Sequence, residues 1–171
     1  MVGKFARIAG IALALGLVGC GREARQGSLE LYLTDQPLNL QSVVVTMGEI
    51  EIHPTGGPWR SFFQGPVTMD LMTLRGTQAL LAMNNVPDGQ YTGFRLRIES
   101  GYAVDTTGQR CDLEVPSSKV DVPVVFEVRE GGLTRIVLDF DGPASVQVVQ
   151  AGGSRRCLLR PVITPKSVEI H

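Results

Sequence analysis

Histidine is scarce in this chain: His53 and His171 are the only two. A Ser-His-acid triad would need one of them beside a nucleophile, and no Gly-x-Ser-x-Gly elbow occurs. His-Glu-x-x-His, paired Cys-x-x-Cys and the glycine loops that cradle phosphate are missing too, which leaves zinc and nucleotide chemistry without ligands. No cofactor and no metal are expected. Charge excess is absent as well. Sixteen basic residues face seventeen acidic ones, for a formal net charge of −1, too little to suggest nucleic acid as a partner. Tryptophan occurs once, at Trp59.

Long apolar runs are also lacking, with one short exception. Lys4 and Arg7 precede Ile8 to Val18, a run of Ile, Ala, Leu, Val and Gly. As a helix at ~1.5 Å per residue it reaches only about half of a ~30 Å hydrocarbon core. It therefore reads as the apolar region of an export signal and not as a spanning helix. The ending, Leu17-Val18-Gly19-Cys20, resembles the lipobox of bacterial lipoproteins. That resemblance implies cleavage before Cys20 and lipidation of its thiol, with the lipid bilayer as a partner. The expected organisation is a signal peptide over 1–19, a lipidated tether over 20–27 and a folded domain over 28–171.

Removing those 19 residues from 171 leaves 152, the usual size of one domain. The tether from Gly21 to Gly27 spans at most about 25 Å when extended, so the domain sits close to its membrane. Gly21, where an Asp would favour inner-membrane retention by resemblance to enterobacterial sorting, favours the outer membrane if the cell is Gram-negative. Cys111 and Cys157 are then the remaining pair in an oxidising context. Bridged, they close a loop worth roughly 4 kcal/mol on the chain-entropy model; the alternative is two separate buried thiols.

From Ser28 onward the dominant period is two. Leu29, Leu31 and Leu33 alternate with Glu30, Tyr32 and Thr34. Val43, Val45 and Met47 continue the pattern, but Ile50 and Ile52 are out of phase, which predicts a β-bulge near Gly48. Pro54 to Pro58 reads as a turn, Trp59 to Phe63 as a returning strand, and Val67 to Leu71 as another. Thr77 to Asn85 suits either a short helix or a buried strand. Phe94, Leu96 and Ile98 face one way while Arg95, Arg97 and Glu99 face the other. Tyr102 to Val104 and Cys111 to Val115 flank a hairpin at Thr106-Thr107-Gly108. Further strands run through Val124 to Val128, Ile136 to Phe140, Val146 to Val148, Leu158 to Ile163 and Ser167 to Ile170, with a turn at Gly152-Gly153. The expected fold is an all-β, antiparallel sandwich with at most one short helix.

In this order the landmarks resemble a known family. They are Gly27-Ser28-Leu29 through Leu33-Thr34-Asp35-Gln36-Pro37, Val43 to His53 followed by Trp59, and Asp70-Leu71 with Leu74. Val86-Pro87-Asp88-Gly89-Gln90-Tyr91 with Arg95-Leu96, Leu138-Asp139-Phe140-Asp141 with Ser145, and Leu159 to Ile163 complete them. The chain resembles the bacterial and archaeal lipoprotein group called domain of unknown function 4382. The resemblance implies an Ig-like or transthyretin-like sandwich on a lipid anchor, with no assigned activity.

Asp139 and Asp141 are the candidate chemistry. Two residues apart on a strand they share a face, which would suit a hydrolytic pair or a cation. The plainer reading has Asp141 bonding the backbone of the turn that follows. Trp59 would suit a sugar-stacking platform or a rim anchor of the sandwich. Tyr91, just after a turn, reads as a corner tyrosine bonded to backbone. Arg95 and Arg97 share a solvent face. The expected role is binding or envelope structure, with an envelope protein or glycan as partner; the rival is a hydrolase or metal-binding module built on Asp139 and Asp141. Whether Asp35, Asp139, Asp141 and Trp59 converge on one concave surface is the observation that most separates these readings.

Overall fold

A computed structural model describes residues 25–36, 38–151 and 154–171. The leader, Cys20, the tether as far as Ala24, Pro37 and the Gly152-Gly153 turn lie outside the described residues. Among the described residues, eleven strands form two packed sheets, joined by a single 3-10 turn at Leu71–Leu74 and one short α-helix. The smaller sheet runs β11 (Ile163–Ile170), β8 (Leu133–Phe140), β1 (Gln26–Asp35), β4 (Ala79–Pro87). The larger runs β3 (Arg60–Asp70), β2 (Ser42–Pro54), β5 (Gly89–Val104), β6 (Arg110–Glu114), β10 (Ser154–Leu159), β9 (Val146–Ala151), and β7 (Lys119–Val128) also pairs with β5.

Period two is what builds this. Leu29, Leu31 and Leu33 of β1, and Val43, Val45 and Met47 of β2, are fully buried, while the residues between them are half-buried. Each such side chain contributes roughly 1.5–3 kcal/mol by leaving water. Between the sheets, Phe94 stacks on Phe126 at 5.2 Å, Phe126 on Tyr91 at 5.1 Å, and Phe62 meets Phe94 edge-on at 6.2 Å. The Tyr91 hydroxyl donates to the Pro87 carbonyl at 2.6 Å, the corner bond expected of it.

The bulge also falls where the phase slips. The β2–β3 register shifts between Met47 and Glu49, and the β2–β5 register shifts on both sides of Met47. A Cβ on Gly48 would collide with the Glu99 carboxylate, and one on Gly65 would lie 2.6 Å from the Gly48 carbonyl. The Glu99 carboxylate could swing aside, but the backbone carbonyls against Gly65 cannot, so it is Gly65 whose lack of a Cβ lets β3 close on the bulge of β2.

Several expectations are corrected. The sandwich is mixed, not wholly antiparallel, because β1 pairs with β8 and β6 with β10 in parallel. Alternation reports which face is buried and is blind to a neighbour's direction. Thr77 to Asn85 resolves as strand: β4 pairs antiparallel with the otherwise open edge of β1. Trp59–Phe63 and Val67–Leu71 are not separate strands. Residues 60–70 form one edge strand, where Pro66 costs no ladder bond. Likewise β5 continues from Gly89 through to Val104, taking β7 along its first half and β6 along its last residues. β1 begins at Gln26, two residues before Ser28. Asp141-Gly142-Pro143 opens a one-turn helix, α1 (Gly142–Ser145).

Candidate functional site

Because β1 and β8 run parallel, their ends lie together: Thr34 pairs with Asp139 and Asp35 with Phe140. Asp35, Asp139 and Asp141 thus gather at one end of the smaller sheet, but each has a different occupation. Asp139 accepts from the Gln36 side-chain amide at 2.9 Å. Asp141 lies beyond the end of β8 and so does not share a strand face with Asp139. Its carboxylate accepts from the Ala144 amide at 2.9 Å and its carbonyl from the Ser145 amide at 2.9 Å, which makes it the cap of α1. The fully buried Ser145 hydroxyl accepts in turn from the Val162 amide at 2.8 Å. The two aspartates weighed as a hydrolytic or cation-binding pair each hold local structure. Among the described residues no group of three His, Cys, Asp or Glu is placed to hold a metal ion.

Asp35 is the unusual member. It is 5% exposed, and neither carboxylate oxygen has a hydrogen-bond partner of good geometry. Burial pushes its carboxyl up to about 6; the nearby amides of Gln36 and Gly142 pull it down, the Asp139 charge raises it, and Arg75 lowers it. Arg75 does not pair with it, since that guanidinium donates to the Leu38 and Leu40 carbonyls. The two amides lie close enough to ease the charge yet make no well-aligned bond to it. A hollow of about 430 Å³ is bordered by Thr34, Asp35, Thr77, Val137 and Lys166. The Asp35 oxygens are nevertheless sealed from solvent.

Trp59 lies in the connection between β2 and β3 of the larger sheet, away from the end of β1 and β8, so the four residues do not make one surface. Its ring lies 4.7 Å from that of His53 and 4.1 Å from the Arg95 guanidinium. Arg95 is itself held by Asp121 through two bonds of 2.6 and 2.9 Å, and that pairing keeps the Asp121 carboxyl below its usual range. His53 Nδ1 shares a 2.6 Å bond with the Thr92 hydroxyl. Trp59 is half-buried, with Arg95 over its ring and His53 tilted against it. His171 is tied by its backbone to Leu133 at 2.8 and 3.1 Å.

The hollow that sequence reading missed is on the outer face of the larger sheet. It is an open groove of about 530 Å³ across β2, β3, β5 and β6. Thr46, Thr68 and Ser100 set a row of hydroxyls along it, the two threonines 2.9 Å apart. Tyr102 and Arg110 form the wall, with the guanidinium 3.8 Å from the ring centre. Arg110 gives both of its bonds to one oxygen of Asp112, at 3.0 and 3.1 Å. That leaves the second carboxylate oxygen and the rest of the guanidinium fork facing solvent. The hairpin at Thr106 to Gly108 was the available signal, because its register sets Tyr102 opposite Asp112. The neighbourhood of Thr68 was not readable, since it depends on the bulged registers of β2 with β3 and β5.

Cys111 and Cys157 are bridged, with Cα atoms 6.1 Å apart, and the bond fastens β6 to β10 beside this groove. Two facing sheets, a corner tyrosine and surface charges paired within the molecule define a β-sandwich. The chain belongs to the family described as Domain of unknown function (DUF4382), which matches residues 26–161. No curated protein and no solved structure gives a significant match.

Proposed function

We propose that this protein is exported, anchored to the cell envelope through a lipid on Cys20, and works by binding, with a neutral glycan as ligand. The observation that carries the ligand class is the chemistry of the groove beside the disulfide. Its one guanidinium and one carboxylate cancel in charge, which gives no preference for an anion or a cation. Its hydroxyl row and half-free Arg110–Asp112 fork match the adjacent donors and acceptors of a polyhydroxylated ring. A volume of about 530 Å³ lies within the ~300–1,000 Å³ usual for small-ligand sites. The anchor rests on the Leu17-Val18-Gly19-Cys20 ending and its apolar lead-in, and Gly21 favours the outer membrane. The bonds of Asp139 and Asp141 speak against the hydrolase reading, because both side chains already hold backbone or neighbour in place.

The full chain titrated with a panel of neutral oligosaccharides is expected to bind at least one, and Arg110→Ala to weaken that binding about tenfold or more. Equal affinity in wild type and Arg110→Ala, or no binding across the panel, would overturn the groove. The anchor is tested separately by metabolic labelling with a fatty acid: Cys20→Ser is expected to carry none, and equal label in both chains would overturn it.

A further inference from the structure

The chain enters the sandwich at one end and is pinned there. The Arg25 carbonyl accepts from the Asp88 amide at 2.9 Å, and the Gln26 carbonyl from the Gly131 amide at 2.8 Å. The Arg25 guanidinium lies 3.5 Å from the Glu130 carboxylate. Asp88 links the end of β4 to the start of β5. The end of β2 and the start of β3 lie at this same end, since Pro54 pairs with Tyr91 and Ile52 with Arg60.

The groove lies at the other end of those strands. Val44 and Thr46 follow the start of β2, Thr68 precedes the end of β3, and Ser100 and Tyr102 precede the end of β5. Gly89 and Tyr102 are thirteen residues apart on one continuous strand, which at ~3.3 Å per residue comes to about 40 Å. Cys20, by contrast, is five residues before Arg25, a reach of at most about 18 Å.

On the reading of Cys20 as the lipidated residue, we infer that the groove stands at the membrane-distal end of the domain. Its glycan, on the reading given above, then belongs to a polymer beyond the anchoring bilayer and not to the headgroup of a glycolipid in the same leaflet. Such a headgroup is reached only with the domain laid flat on the outer face of the larger sheet. Arg25 leads into the smaller sheet, so that pose lifts it by a sheet spacing of ~10 Å and a layer of outer side chains. Most of the ~18 Å reach is then used, and a tether near full stretch loses its conformational freedom. The same pose presses Glu51, Arg95, Arg97, Glu99 and Asp121 onto the lipid, charges that gain nothing by leaving water.

The test uses the full lipidated chain in phospholipid vesicles that carry a headgroup acceptor dye. Thr55 and Thr68 are both exposed, the first at the tether end and the second in the groove. A donor dye on Thr55→Cys is expected to transfer energy to the headgroups several-fold more efficiently than one on Thr68→Cys. A second arm takes a panel oligosaccharide that binds and places the same sugar on a lipid in the protein's own vesicle. That lipid is expected to leave the titration with free oligosaccharide unchanged. A tether lengthened by ~20 Gly and Ser residues is expected to let it compete. Equal transfer from the two sites, competition at the native tether length, or none with the longer tether would overturn the inference. Absence of transfer from both dyes would overturn the anchor on Cys20 instead, and a panel without binding would overturn the glycan reading.

Discussion

Asp35 and Asp139 stand on adjacent parallel strands at the same end of the smaller sheet, and the charge of Asp139 adds to burial in keeping the Asp35 proton on. Asp35 has no well-made bond to offset this, so its ionised form is a cost carried by the folded state.

The pH dependence follows from the direction of that shift. The folded carboxyl titrates at about 6 against 3.8 for the ordinary side chain. The folded state therefore holds the proton more tightly than the unfolded one. The stabilising contribution is fully present below about pH 4 and is lost as pH rises through about 6. It amounts to about 3 kcal/mol at most. Asp121 and Glu114, held low by Arg95 and Arg156, act in the opposite sense at lower pH. Urea midpoints at pH 4, 5, 6 and 7 isolate Asp35 as the difference between wild type and Asp35→Asn. The variant is expected to gain on wild type as pH rises, and parallel curves would refute the assignment.

The disulfide predicts a mechanical weakness next to the groove. β6 pairs with β10 at only two register positions, so the Cys111–Cys157 bond does much of the joining. Its 46-residue loop is worth roughly 4 kcal/mol on the chain-entropy model. Cys111→Ala with Cys157→Ala is expected to lower the unfolding free energy by about 2–4 kcal/mol. Hydrogen exchange should rise first in β9 and β10. Uniform exchange across both sheets would show that the bond holds the whole fold and not this corner.

How much was legible in the sequence follows from what a local pattern can report. The Gly48 bulge was visible because a one-residue slip exchanges core and solvent faces, and Met47 to Ile50 shows that slip directly. Tyr91 was readable because its partner, Pro87, lies four residues away in the same turn. The parallel pairing of β1 with β8 was not readable, since about a hundred residues separate them and alternation is the same in either direction. The burial of Asp35 was not readable for a related reason. Its burial depends on Gly142 and Leu38 closing over it: a Cβ on Gly142 would lie 2.5 Å from Leu38 Cδ1 and 3.0 Å from the Asp35 oxygen. The groove was missed because β2, β3, β5 and β6 each contribute only one to three residues to it.

The aspartates that looked catalytic give the sharpest separation between binding and hydrolysis. Asn caps a helix about as well as Asp, so Asp141→Asn keeps the bond to the Ala144 amide. Asp139→Asn can still accept from Gln36 through its amide oxygen. The double variant is expected to stay folded, within about 1 kcal/mol of wild type by urea denaturation. Its affinity for the glycan that the wild-type groove takes is expected to be unchanged, because neither residue lines that groove. A hydrolytic pair predicts otherwise, since loss of a general acid or base costs ~10²–10⁴-fold each in rate. Oligosaccharide turnover followed by reducing-end release in both chains decides between them. Cleavage by wild type that disappears in a folded double variant would replace binding with hydrolysis; no cleavage by either, with equal affinity, would leave Asp139 and Asp141 as the fasteners of β1 and α1.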